Sequence, residues 1–301
     1  MRTVIGFSLL LFIMADCRSD ERAEQYLFLG HTYDWTSQGD KVDARLLKLP
    51  LDTFDMLLLG GDICSNTLKN PQATLPYLDS IFHITKRTTL WAYGNHDLLS
   101  GTPEQLNRFT KKNDFYTITH KEICFVVLNT NLQSYPSPNI SDDDCQRMNE
   151  QFTMLKNICD TITQSKNLII IHHHALWSKA LLQQTDLAIY YNLVDTLVQF
   201  HCNPFKTFAE AAYPMLQKVA RRNINVVCIA GDVGAQCKQV EFKTTDGVTF
   251  LGSGINNSVH PDYLPPYVTD LGDDYILVLT YQPQSQLLTW EFHDLNGLTK
   301  H

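Results

Sequence analysis

Five short, mainly apolar runs in this chain each stop abruptly at glycine or at a residue able to bind a cation. Residues 26–29 lead into Gly30-His31, 54–59 into Gly60-Gly61-Asp62, and 88–93 into Gly94-Asn95-His96-Asp97. Residues 168–171 lead into His172-His173-His174, and 224–230 into Gly231-Asp232. Runs this short, with no alternating polar face, suit strands covered on both sides. A strand that ends in glycine and a polar ligating residue puts that residue at the rim of a sheet, where α/β folds build their sites.

Helical patterns lie between the runs. Ser141 and Asp144 form a capping-box pattern with Asp in place of Glu. Met148, Phe152, Leu155, Cys159 and Ile162 follow at three- and four-residue steps, one apolar face of a helix. Residues 74–85, 103–112 and 211–222 are further helical segments. Pro204 and Pro214 break the pattern between His174 and Tyr213, which reads as a long loop carrying a helix or two. Residues 239–245 and 248–251, separated by Asp246-Gly247, read as a hairpin. Residues 275–281 and 287–292 read as two more paired strands. No internal repeat or linker divides the chain, so one domain containing two packed sheets is expected.

With 301 residues the chain is well above the size at which a core becomes marginal. Its formal net charge of -8 excludes a broad basic surface for large nucleic acids. An anion would have to be held locally, by a helix N-terminus, a few cationic side chains or a metal. Arg2 followed by an apolar stretch at residues 4–15 has the form of an export signal, too short to span a bilayer. Residues 1–17 are therefore expected to direct the protein out of the cytoplasm, as a secreted, periplasmic or lipid-anchored product. Cys17, followed by Arg18-Ser19-Asp20, resembles the acylated cysteine of bacterial lipoproteins, although Asp16 departs from the small residue usual before it. A lipid on Cys17 would be the only membrane attachment. The remaining cysteines include no C-x-x-C pair, so neither a zinc ribbon nor a thioredoxin-type site is indicated. Tyr33, Trp35, Trp177, Tyr190 and Tyr191 lie near the strand-end segments or in the long loop, and packing is the more common use of such aromatics.

Gly94-Asn95-His96-Asp97 is the most specific of these motifs, strengthened by Gly61-Asp62 after the preceding run. Over residues 24–296 the whole set resembles the calcineurin-like metallophosphoesterase family. The family order is D-x-H, GD, GNHD, a His after a strand, then G-H-x-H. The corresponding segments here are His31-Thr32-Tyr33-Asp34, Gly61-Asp62, Gly94 to Asp97, His172 to His174, and Gly231-Asp232-Val233-Gly234. The resemblance implies an α/β fold in which two mixed β-sheets pack as a sandwich flanked by helices (α/β/β/α). It also implies a phosphatase or phosphodiesterase that hydrolyses a small phosphorylated substrate through metal-activated hydroxide. One or two divalent ions per chain (Mn, Fe, Zn or Mg) would be its cofactor.

Such residues suit that chemistry. Ester hydrolysis at phosphorus needs a nucleophile beside an anion, and neutralised charge on the phosphoryl oxygens; divalent ions supply both. By resemblance Asp62 bridges the ions, Asn95 adds a neutral oxygen, and His173, with His172 as the alternative, adds an imidazole. His96 is the proton donor to the leaving oxygen, with Asp97 orienting its ring. The outer motifs depart from the family. His31 stands at the Asp position and Tyr33 at the His position, so Asp34 is the next available oxygen. Asp232 replaces the first His of the last motif, a change toward oxygen-preferring ions such as Mn or Mg, and Gly234 replaces the second. One ion site is thus complete (Asp62, Asn95, His173, Asp232), while the other keeps His31, Asp62 and Asp34. These losses make a catalytically impaired relative, binding a phosphorylated ligand or partner, the alternative to an enzyme.

Overall fold

A computed structural model of the chain describes residues 21–133, 141–175, 208–234, 238–255, 262, 264 and 271–298. Its strands sort into two mixed sheets. The first has the order β11-β10-β1-β2-β3 and the second β4-β5-β6-β7-β9-β8. They run β1 Glu24–Leu29, β2 Met56–Leu59, β3 Thr89–Trp91, β4 Tyr116–His120, β5 Ile123–Val127 and β6 Asn167–His174. Then follow β7 Asn225–Asp232, β8 Gln239–Lys243, β9 Val248–Ser253, β10 Tyr275–Gln282 and β11 Leu287–Asp294.

The central strands are parallel: β1 with β2 and β3 in one sheet, and β5, β6, β7 and β9 in the other. Antiparallel strands close one edge of the first sheet and both edges of the second. Every residue of β2, β3, β5, β6 and β9 is buried. That explains the unalternating runs, since a parallel strand with cover on both faces has no wet side. The edge strand β8, by contrast, alternates between exposed and covered positions.

Alternation splits each central strand between two cores. Phe28, Leu58, Phe125, Ile169, Ile171 and Ile229 meet between the sheets. Leu168, Ile170 and Cys228 face the other way, beneath α4 (Asp142–Thr161) and α5 (Phe208–Ala220). Leu27, Leu57 and Trp91 lie beneath α1 (Pro71–Phe82) and α3 (Pro103–Thr110), the short α2 (Asn95–Leu98) falling between them in the chain. The result is the expected α/β/β/α sandwich. Asp274, just before β10, is buried and accepts from Lys238 Nζ (3.1 Å) and from Arg45, tying the second sheet's edge to the loop after β1.

The capping box at Ser141 forms as the sequence predicts. Asp144 N donates to Ser141 Oγ at 3.1 Å, and Ser141 N donates to an Asp144 carboxylate oxygen at 3.1 Å. Met148, Phe152, Leu155 and Cys159 are the buried face of that helix. The hairpin and the last strand pair also form. Three features differ from expectation. β4 and β5 are not among the expected strands, and β6 and β7 continue through His174 and Asp232 rather than stopping before them. Pro214 lies inside α5 instead of breaking a loop. Residues 1–20, Trp177, Tyr190 and Tyr191 lie outside the described residues, as does most of the long loop. Among the described residues no helix is long and apolar enough to cross a membrane.

Candidate metal centre

The two sheets touch at one rim, and glycine makes that contact possible. A Cβ on Gly231, in β7, would sit 2.1 Å from the Gly60 carbonyl oxygen after β2. A Cβ on Gly30, after β1, would sit 2.5 Å from the Gly231 Cα. Any larger residue at these positions would force the rims apart. The polar residues that follow the three glycines are thereby driven into one small volume.

Asp62 is the hinge of that volume. It sits 1% exposed in a left-handed backbone conformation, φ 54°. Asp97 holds this conformation from beneath. One Asp97 oxygen accepts from the backbone N–H of Asp62 (2.8 Å) and Gly94 (2.9 Å) and from Trp91 Nε1 (3.2 Å). The other accepts from Ile63 N (3.0 Å) and Thr67 Oγ1 (3.1 Å). Asp97 therefore locks the Gly61-Asp62 turn to the Gly94 turn. In turn His96 N donates to Asp62 Oδ1 at 2.9 Å, while Oδ2 faces the imidazoles of His173 and His31.

His173 completes the core of the site. Alternation along β6 turns it toward the other sheet, on the side of Ile169 and Ile171. Its Nδ1–H donates to the Gly60 carbonyl at 2.7 Å, so the lone pair is on Nε2, the second-shell arrangement usual for a ligating imidazole. That Nε2 is 3.2 Å from Asn95 Oδ1, 3.4 Å from Asp62 Oδ2 and 3.9 Å from Asp232 Oδ2. Donors at about 2.1 Å from a shared ion are separated by about 3.4 Å at a tetrahedral angle and by no more than about 4.2 Å. From His173 Nε2, the Asn95, Asp62 and Asp232 oxygens all fall inside that window. Burial opposes a proton on His173, but the charges of Asp62 and Asp232 outweigh it and raise its pKa to about 9. For Asp62 burial likewise opposes charge, and His173, His31 and His96 outweigh it, holding the carboxyl far below its ordinary range.

The other predicted residues divide. His31 joins: its Nε2 is 3.4 Å from Asp62 Oδ2, and its ring stacks 6.4 Å from that of His173. Asp34 does not. It is the N-cap of a short 3-10 turn, Trp35–Ser37, and both its oxygens bond Thr36. Tyr33 instead lies against the site, 4.7 Å from the His31 ring and 5.3 Å from the His96 ring. Asp232, the last residue of β7, accepts from Gly234 N at 3.2 Å through its other oxygen; Gly234 adds no donor. His96 Nδ1 is 3.3 Å from Ser65 Oγ, while Asp97 directs both its oxygens to the groups named above. The ring-orienting role expected of Asp97 thus falls to Ser65, and Asp97 acts on the backbone.

Of the three consecutive histidines, His172 lies on the helix side of β6 and donates from Nδ1 to the His174 carbonyl at 2.8 Å. Burial drives its pKa down to about 3. His174 is different. At the strand end it pairs in register with Asp232, and His173, His174 and Asp232 each present a donor atom within 4.8 Å of the others. The family resemblance implies a single ligand from this triplet, so the sequence alone gives His174 no part in the centre. Its register opposite Asp232 was the missing signal.

No family model matches the chain, and no curated protein matches it. Among solved structures it is similar to Vacuolar Protein Sorting 29 from Cryptosporidium parvum, at 10% identity and TM-score 0.36, covering 91% of this chain and 98% of that one. It is also similar to a Vps29 single mutant from Entamoeba histolytica, at 11% identity and TM-score 0.32, covering 90% of this chain and 98% of that one. Vps29 from Chaetomium thermophilum has 11% identity and TM-score 0.32, covering 90% of this chain and 94% of that one.

Proposed function

We propose that the chain is an exported, metal-dependent phosphoric ester hydrolase acting on a small phosphorylated substrate. One observation carries this reading: Asp62, Asn95 and Asp232, from separate strand ends, each bring an oxygen within 3.9 Å of His173 Nε2, with His31 3.4 Å from the same Asp62 oxygen. Mn, Fe, Zn or Mg bound there supplies Lewis-acid activation of water and charge neutralisation on a phosphoryl group. Asn95 contributes an uncharged oxygen, so the donor set faces an anionic ester with less negative charge than a third carboxylate would bring. His96 is held by its backbone to Asp62 and by its ring to Ser65, close to the reacting centre without being a donor. It is the group that delivers a proton to the leaving oxygen. The N-terminal pattern at residues 1–17 supports an extracytoplasmic site of action, with Cys17 as the one lipid anchor point.

A second reading has a specific observation in its favour. With Asp34 engaged in its turn and Gly234 lacking a side chain, the half of the site around His31 keeps only that imidazole and the shared Asp62. A protein that binds a phosphorylated ligand without turning it over would have this composition. Hydrolysis of p-nitrophenyl phosphate and bis-p-nitrophenyl phosphate with added Mn2+ or Zn2+ separates the two. The hydrolase reading expects turnover that is lost in N95A and falls at least about a hundredfold in H96A. No wild-type turnover, or turnover unchanged in both variants, favours the binder.

A further inference from the structure

One buried nitrogen beside the centre has no role in the account above. His174 is 4% exposed, and its Nε2 is buried with no hydrogen-bond partner among the described residues. Its other nitrogen is committed. Nδ1 lies 2.9 Å from Thr130 Oγ1, and that hydroxyl oxygen also accepts from His174 N at 3.1 Å. Where Nδ1–H donates to Thr130 Oγ1, the Nε2 lone pair is left bare, as it is in His173, whose Nδ1–H donates to the Gly60 carbonyl. An imidazole nitrogen shut away from water without a partner is disfavoured unless something else meets its lone pair.

A carboxylate and a second imidazole are adjacent. His173, His174 and Asp232 each offer a donor atom within 4.8 Å of the other two, and the two rings pack edge to face at 4.6 Å. Donors on one ion with bonds of 2.0–2.2 Å are at most about 4.4 Å apart, so a contraction of a few tenths of an ångström seats all three. His172 also has an unpartnered Nε2, yet it belongs to no such group.

We propose that His174 is a ligand of the metal centre, placing Nε2 on the cation that His173 and Asp232 share, with Thr130 as its positioning residue. This rests on the metal-binding reading above and adds to it. The chain loses the imidazole that Gly234 would otherwise supply and regains one from the neighbouring strand. Two imidazoles with carboxylate and amide oxygens select a first-row transition ion such as Zn2+ over Mg2+.

The test uses metal-stripped full-length protein titrated with Zn2+, and pulsed EPR of its Cu2+-loaded form to count bound imidazoles. H174Q is expected to weaken Zn2+ binding by more than about tenfold and to lower the imidazole count by one. H172N, one turn of the pleat away, is expected to keep wild-type affinity. The proposal is overturned if H174Q binds Zn2+ within about threefold of wild type. It is equally overturned if H174Q leaves the imidazole count unchanged, or if H172N loses as much affinity as H174Q. Should H174Q not fold, T130V decides, because it keeps the ring and removes only the orienting oxygen. A loss of about 10–100-fold supports the proposal, and wild-type affinity overturns it. Wild-type protein that takes up no ion at all would overturn the metal-binding reading itself, a result distinct from each of these.

Discussion

Metal uptake by this site should be steeply linked to pH, and the size of the linkage follows from one imidazole. The Nε2 lone pair of His173 faces Asp62 and Asp232, which raise its pKa to about 9 against the effect of burial. A proton and a divalent ion compete for that lone pair. At pH 7 the ring is neutral in only about one molecule in a hundred, so binding is weakened about a hundredfold, or about 2.7 kcal/mol, relative to the deprotonated site. Affinity should therefore rise about tenfold per pH unit from pH 6 to 8 and level off above about 9. Mn2+ titrated calorimetrically in buffers of different ionisation enthalpy measures both the slope and the protons released, with about one proton per ion expected at pH 7. The metal-stripped protein supplies the complementary readout. A histidine whose folded pKa lies above its ordinary 6.5 contributes stability that is complete below pH 6.5 and lost as pH rises through about 9. The stripped protein should thus melt at lower temperature at pH 9 than at pH 7. Affinity independent of pH from 6 to 8, with no proton released, would refute the assignment of His173 as a ligand.

Three other perturbations follow from contacts already described. G231A brings a Cβ to within 2.1 Å of a backbone oxygen, so it should destabilise by at least about 1–3 kcal/mol in urea unfolding and weaken Zn2+ binding in the same titration. D34A should cost about 1 kcal/mol through loss of its cap and leave metal affinity unchanged; a loss of affinity would put Asp34 back in the centre. His172 is held neutral with its pKa pushed down to about 3, so its share of stability is present above pH 6.5 and lost as pH falls toward 3. H172N retains a donor for the His174 carbonyl without titrating, and should shift acid unfolding monitored by circular dichroism to lower pH.

The strand framework was legible because burial on both faces writes itself as uninterrupted apolar residues, and five such runs end at the rim. The α4 capping box was legible because Ser141 and Asp144 serve only each other. β4 was harder: Tyr116-Thr117-Ile118-Thr119-His120 is an edge strand, partly exposed, and its mixed residues give no run. Within the site, the family resemblance pointed to Asp62, Asn95, His173 and Asp232, which the fold brings near one another, but could not say where a carboxylate spends its oxygens. Asp34 is bonded to Thr36, two residues on, and Asp97 to backbone amides. Both choices are local hydrogen-bond geometry that no spacing rule encodes. The part played by Ser65 and the position of His174 depend on loop curvature and cross-strand register, which exist only once the sheets are assembled.

The placement of β1 governs when this protein can finish folding. β1 is the first strand of the chain described, and one of its two neighbours is β10, with Tyr26 aligned to Leu279. During synthesis its outer edge stays bare until that distant partner has been made, an open template for pairing with other chains. Late closure of this kind favours slow maturation and a need for chaperone shielding. A truncation removing the terminal hairpin would leave the same edge permanently uncapped and poised to aggregate.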